Sequence, residues 1–305
     1  MNYVVIFLGE MRVLTPSNPY YAYMVALLAI ISATLFGAGD FLGGLASRRT
    51  RIFSVIAIAH LIGLVFILLI APFMAEEFLL ADFFRGAIAG ILGLIGIAFI
   101  FHALQRGPMT VVAPITSIAS AVIPVIWGTA YGENLSSVHI IGICIGMISI
   151  LLVSQARSEI AEPKKNRALP PWLITESLLS GLCFAGFYIV IDGTSGSSEP
   201  WPLVAARLTS VCCLLVIGTF SSRTFRVDSS VLPLVLWSGI LDSFANLTFL
   251  MATNRGMLSI VSVLTSLYPA TTVILAKWVL KEHLTRIQIF GLLGAVTATV
   301  LIAGG

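Results

Sequence analysis

The chain has 305 residues, is 58% hydrophobic and only 10% charged, and carries a net charge of +3 with a mean hydropathy of +1.03. A soluble globule carries about 25% charged residues, so this composition excludes a soluble domain and leaves an all-α polytopic membrane protein. The basic residues sit in short loops, which is a topology signal and gives no nucleic-acid-binding patch.

In chain order, the opening stretch MNYVVIFLGEMRVL has a short apolar run with an acid at Glu10 and no basic n-region. It does not read as a cleaved signal peptide. A helix needs about 20 apolar residues to cross a bilayer. That ruler predicts ten transmembrane helices, at 22–46, 52–74, 83–105, 109–131, 136–154, 172–192, 201–220, 231–253, 257–280 and 286–303. Most connections between them are short. The exception, 155–171, reads QARSEIAEPKKNRALPP; it is polar, basic and closed by two prolines, and it is the natural linker between two halves.

The halves repeat. Residues 103–142 align without a gap on residues 252–291, and 11 of those 40 positions are identical, among them Arg106/Arg255, Thr116/Thr265, Ser117/Ser266, Glu133/Glu282 and Gly142/Gly291. Phe36-Gly37-Ala38 matches Phe184-Ala185-Gly186, and Gly90-Ile91-Leu92 matches Gly239-Ile240-Leu241. A period of half the chain means duplication of a large unit. The units are 22–154 and 172–303. Five spans per unit is odd, so the two copies cross the membrane in opposite senses, which is an inverted-repeat transporter architecture with a substrate site expected near the midplane.

Call the face carrying both termini side A. Side B then holds Arg48, Arg49, Arg51, Arg106, Arg157, Lys164, Lys165, Arg167, Arg223, Arg226, Lys281 and Arg286, whereas side A has Arg12, Arg85 and Arg255 beside Glu76, Glu77 and Asp82. The positive-inside rule makes side B cytoplasmic and puts both termini outside.

Polar residues inside spans face a cavity or a partner, because a charge at mid-bilayer costs about 2.5–3.5 kcal/mol. Arg207 lies about 9 Å below side A and Asp242 about 14 Å from it, at about 1.5 Å per residue. The two either pair with each other or bind opposite charges on a substrate. Asn246 shares the Asp242 face one turn on. His60 is the repeat counterpart of Arg207 and is a proton relay or a packing residue. Asp40 lies toward the B end of its span near Arg48, as a cavity acid or an interfacial one, and Tyr188 is its counterpart. These six are the candidate substrate-binding residues, and Asp242, Asp40 or His60 are the candidates for proton coupling. Asp192 and Glu176 read as interfacial. Glu133 and Glu282 end their spans in structural roles, with Ser136 and Thr285 as helix N-caps. Pro114, Pro124 and Pro269 are expected to kink their spans. Cys144, Cys183, Cys212 and Cys213 read as packing thiols. Trp172, Trp201 and Trp278 read as interface anchors.

The tail of the repeat, with Ser266-Leu267-Tyr268-Pro269, Lys281-Glu282, Gln288 and Gly291, resembles the EamA family of the drug/metabolite transporter superfamily, and FGAGDFLGGLASRR (36–49) looks like the first helix of a bacterial branch. The first copy departs from the pattern, with Ser120 where the second has Pro269 and Gly132 where it has Lys281. The resemblance implies a ten-helix carrier of small metabolites, amino acids or drugs in the cytoplasmic membrane, with a lean to export, acting as a monomer or homodimer without a cofactor. No H-E-x-x-H, G-x-S-x-G or G-x-x-x-x-G-K-[ST] occurs, so an intramembrane enzyme is the weaker reading and ATP drive by this chain alone is disfavoured. A channel or receptor is the third reading. One Arg with one or two Asp leans the cavity toward a zwitterion.

Overall fold

The computed structural model describes residues 20–106, 109–154, 170–220, 227–279, 281 and 284–305. Among these, the protein is built of helices without a strand: α1 (Tyr20–Ser47), α2 (Ile52–Met74), α3 (Leu80–Arg106), α4 (Met109–Ala130), α5 (Ser137–Val153), α6 (Pro171–Asp192), α7 (Trp201–Phe220), α8 (Leu232–Thr253), α9 (Leu258–Thr265), α10 (Tyr268–Val279) and α11 (Arg286–Gly304). Nine segments of the described residues are long and apolar enough to span a membrane, with α9 and α10 forming one of them. The tenth, α5, has 17 residues, about 26 Å at 1.5 Å per residue, a little short of the roughly 30 Å hydrocarbon core and at the lower limit for a span. Leu69, Phe220, Leu293 and Val300 are exposed, so these helices are apolar outside as well as inside, as lipid requires.

The two halves interleave. α1 packs on α8 and, equivalently, α6 packs on α3; α2 packs on α8 as α7 packs on α3; α5 packs on α11. Direction follows from register. Ser32 Oγ donates to the Ala245 carbonyl and Ser238 Oγ to the Gly39 carbonyl, so α1 and α8 run antiparallel. One contact shows the two-fold relation directly. A side chain at Gly90 would collide with the backbone of Ala206, and one at Gly239 with the backbone of Ala59. Gly90 and Gly239 are repeat counterparts, and so are the residues that follow the two alanines, Arg207 and His60. The two inverted five-helix repeats therefore meet through equivalent glycine crossings.

Sequence and structure differ at several places. The ninth span is not one helix: α9 ends at Thr265, Ser266 and Leu267 form a turn, and α10 begins at Tyr268 just before Pro269. Pro269 has no N–H to donate and is the second residue of the new helix, where that N–H would have no intrahelical acceptor in any case. Its counterpart Ser120 lies in an unbroken α4, and Pro114 and Pro124 lie inside that same continuous helix. Ser136 and Thr285 do cap α5 and α11, each in a reciprocal capping box with His139 or Gln288. Glu133 caps a different helix from the one that follows it. Its Oε1 accepts from Leu258 N at 2.6 Å and its Oε2 from Ser259 N at 3.1 Å, so it closes the start of α9 in the other half. Of the four free cysteines, Cys144 and Cys212 are exposed rather than packed, which corrects the expectation for those two. They face where lipid would be. Glu282, the linker 155–169 and the basic residues Arg157, Lys164, Lys165, Arg167, Arg223 and Arg226 lie outside the described residues, as do Glu10 and Arg12.

Candidate functional site

The glycine crossings leave a space between the halves at mid-depth. Its wall includes Phe36 and Asp40 from α1, His60 from α2, Gly93 and Ile97 from α3, Phe184 and Tyr188 from α6, Arg207 from α7, Asp242 and Asn246 from α8, and Tyr268 from the start of α10. Many of these are repeat counterparts: Phe36 with Phe184, Asp40 with Tyr188, His60 with Arg207, Gly93 with Asp242, and Ile97 with Asn246. The cavity thus lies on the pseudo-two-fold axis, where each half contributes the same positions with different side chains. The space open to the centre of a water molecule is about 70 Å³, several times the roughly 10–15 Å³ that one water needs.

All six sequence-nominated residues line this one cavity. Arg207 and Asp242, placed at similar depth by residue counting, form an ion pair, Nη2 to Oδ2. Their side chains are 11% and 22% exposed. Of the two alternatives left open by the sequence, direct pairing is the one seen. Asn246 Nδ2 donates to the main-chain carbonyl of Asp242 at 2.7 Å. It therefore fixes the helix turn that carries the acid and leaves the carboxylate to Arg207. His60 is 4% exposed, and among the described residues neither ring nitrogen has a hydrogen-bond partner. Buried polar atoms are nearly always satisfied, so His60 is a group without its partner on a cavity wall. Tyr188 is buried and stacks on Phe249, centroids 4.2 Å apart.

Asp40 sits two turns inside the end of α1, away from the interface. Two close approaches put it there. A side chain at Gly37 would collide with the Tyr268 carbonyl, and Thr272 Oγ1 donates to the Gly37 carbonyl at 3.1 Å. Gly39 lies against the backbone of Asp242. Among the described residues Asp40 makes neither a hydrogen bond nor an ion pair; it lies within electrostatic reach of Asp242, Tyr188 and Tyr268.

Glu176 and Asp192 stay outside this cavity. Glu176 Oε2 meets His102 Nδ1 at 2.9 Å near side B. The aromatic wall is not legible in the sequence. Phe36 and Phe184 form a repeat pair and Tyr268 follows Ser266-Leu267 in the second repeat, yet aromatic residues in an apolar span carry no signal of which face they occupy. Trp127 and Trp237 are exposed on the outside of the bundle, Trp127 stacking on Tyr131 at 4.3 Å.

The profile described as the EamA-like transporter family matches residues 23–155 and 172–304. An uncharacterized protein of Methanocaldococcus jannaschii is 24% identical over 131 residues, which cover 42% of this chain and 94% of that protein, about the length of one repeat. A crystal structure of a protein superposes with a TM-score of 0.68 at 17% identity, covering 90% of this chain and 95% of the other. That likeness shows the fold.

Proposed function

Because the chain belongs to the EamA-like transporter family, we propose that it is a secondary transporter of a small solute, working by alternating access across the cell's cytoplasmic membrane. The observation that supports this best is the cavity itself: a mainly apolar space at mid-depth that carries charged side chains, lined by equivalent positions of two inverted repeats. Rocking one half against the other about that axis exposes the same site to each face in turn. In this reading Arg207, Asp242, Asn246, His60, Asp40 and Tyr188 form the substrate site. Side B, with its basic loops, faces the cytoplasm. Transport runs outward, and the chemistry is carriage rather than catalysis.

The test is solute profiling of cells and medium. It compares strains lacking the protein, overproducing it, and overproducing Asp242→Asn at equal protein level. The expected result is one solute class that accumulates outside only with the intact chain. Accumulation inside would keep carriage and reverse its direction. Equal profiles in all three strains, in medium and cytoplasm alike, would sink the proposal.

A further inference from the structure

The ion pair changes what the cavity can recognise. If Arg207 were free, it would hold a substrate carboxylate and the cavity would suit a zwitterion. It is paired with Asp242. The two charges cancel locally, and the guanidinium has its counter-ion already. The carboxylate that remains is Asp40, which has neither a hydrogen bond nor a cationic partner among the described residues. Neither nitrogen of His60, also on the wall, hydrogen-bonds to a carboxylate among the described residues. An ionised carboxylate within a membrane domain faces a steep desolvation penalty unless a positive charge meets it.

The surroundings of Asp40 are aromatic. Phe36 is one turn earlier on the same face of α1, and Phe184, Tyr188 and Tyr268 line the same space. Aromatic faces attract ammonium groups and repel carboxylates, because the ring quadrupole is negative above the plane. Asp40 and these rings therefore select the same charge.

We infer that the cavity takes a small organic cation, a solute bearing an ammonium group and lacking a carboxylate, with Asp40 as its counter-ion, the aromatic wall as its cage and the Arg207–Asp242 pair as a charge-neutral part of the site wall. The inference rests on the transport reading for its site and goes beyond it in naming the charge of the solute.

Three small probes isolate that charge: n-butylammonium, norvaline, which is the same skeleton with a carboxylate added, and pentanoate. Binding of each to the purified full chain in lipid nanodiscs is measured by titration calorimetry, with the rise in unfolding temperature as a second readout. The expected result is that butylammonium binds, and that norvaline and pentanoate bind roughly tenfold more weakly or worse. Asp40→Asn is expected to lose butylammonium binding by a similar factor, while Asp40→Glu keeps it. Norvaline or pentanoate binding as tightly as the amine, full amine binding in Asp40→Asn, or binding of none of the three would each overturn the inference. The ligand series needs only the unaltered chain, so a variant that fails to fold leaves the test intact. Profiling that finds a carboxylate or zwitterion exported would overturn this inference and leave the transport proposal standing.

Discussion

At the residue scale, the Arg207–Asp242 pair separates structure from function. Removing one member of a largely buried pair leaves the other charge uncompensated, whereas replacing both with apolar residues of similar size removes the penalty together with the attraction. Both side chains border the cavity, so solvent in it screens the pair. Arg207→Met alone is expected to lower stability by about 2 kcal/mol, seen as a lower unfolding temperature in detergent. The double variant Arg207→Met/Asp242→Leu is expected to recover most of that loss. If the pair belongs to the transport pathway, the double variant stays inactive in solute profiling despite its recovered stability. Recovery of both would make the pair a helix clamp.

At the element scale, two features position the site. The first is the Gly90 crossing. A Cβ there would run into the Ala206 backbone, and α7 would have to move away from α3, carrying Arg207 with it. Over-packing of this kind costs about 1–3 kcal/mol. Gly90→Val and Gly239→Val, at equivalent positions of the two repeats, are both expected to lower the unfolding temperature; a neutral effect at either would show that the crossing is loose. The second is the cap on α9. An eight-residue helix is marginal alone, and α9 is followed at once by a turn. The Glu133 carboxylate binds two of its free N–H groups from the other half of the protein. Glu133→Ala is expected to cost about 1 kcal/mol and to speed hydrogen exchange at Leu258 and Ser259, which have no other acceptor once the carboxylate is gone.

At the scale of the whole molecule, the loop between α6 and α7 ties side A together. Asp82 accepts from Ser195 N at 2.9 Å and Ser198 Oγ at 2.7 Å. The main-chain N–H groups of Glu76 and Glu77 donate to the Ser197 carbonyl. Glu199, 4% exposed, accepts from Asn254 Nδ2 at 2.7 Å and Arg255 Nη1 at 2.8 Å. Arg106, the repeat counterpart of Arg255 on side B, is exposed and unpaired among the described residues. Side A is thus tied together by contacts that the repeat symmetry does not reproduce at Arg106. Glu199→Gln is expected to loosen that side. In a cysteine-free background, a cysteine placed at Asn246 is expected to react faster with a membrane-impermeant thiol reagent added from side A. Unchanged labelling would mean that the Glu199 contacts do not limit access to the cavity from side A.

The sequence by itself determined the class, the number of spans and the duplication, because lipid demands long apolar helices and because a repeat is visible without coordinates. Counting depth along the spans also brought Arg207 level with Asp242, since a helix rises by a constant step. It left open whether the two charges would meet each other or a substrate, and on which wall Asp40 and His60 would lie. It did not show that Glu133 would serve a helix of the opposite half, that of the three prolines expected to kink their spans Pro269 would stand beside a break in the helix, or that aromatic side chains would gather beside Asp40. Those outcomes depend on the rotation of each helix about its axis and on which helix it meets. In a span that is apolar all round, the hydrophobic pattern fixes neither; close backbone approach at Gly37, Gly39, Gly90 and Gly239 does. Only the packed tertiary structure therefore decided that the cavity acid Asp40 would be left without a counter-ion among the described residues.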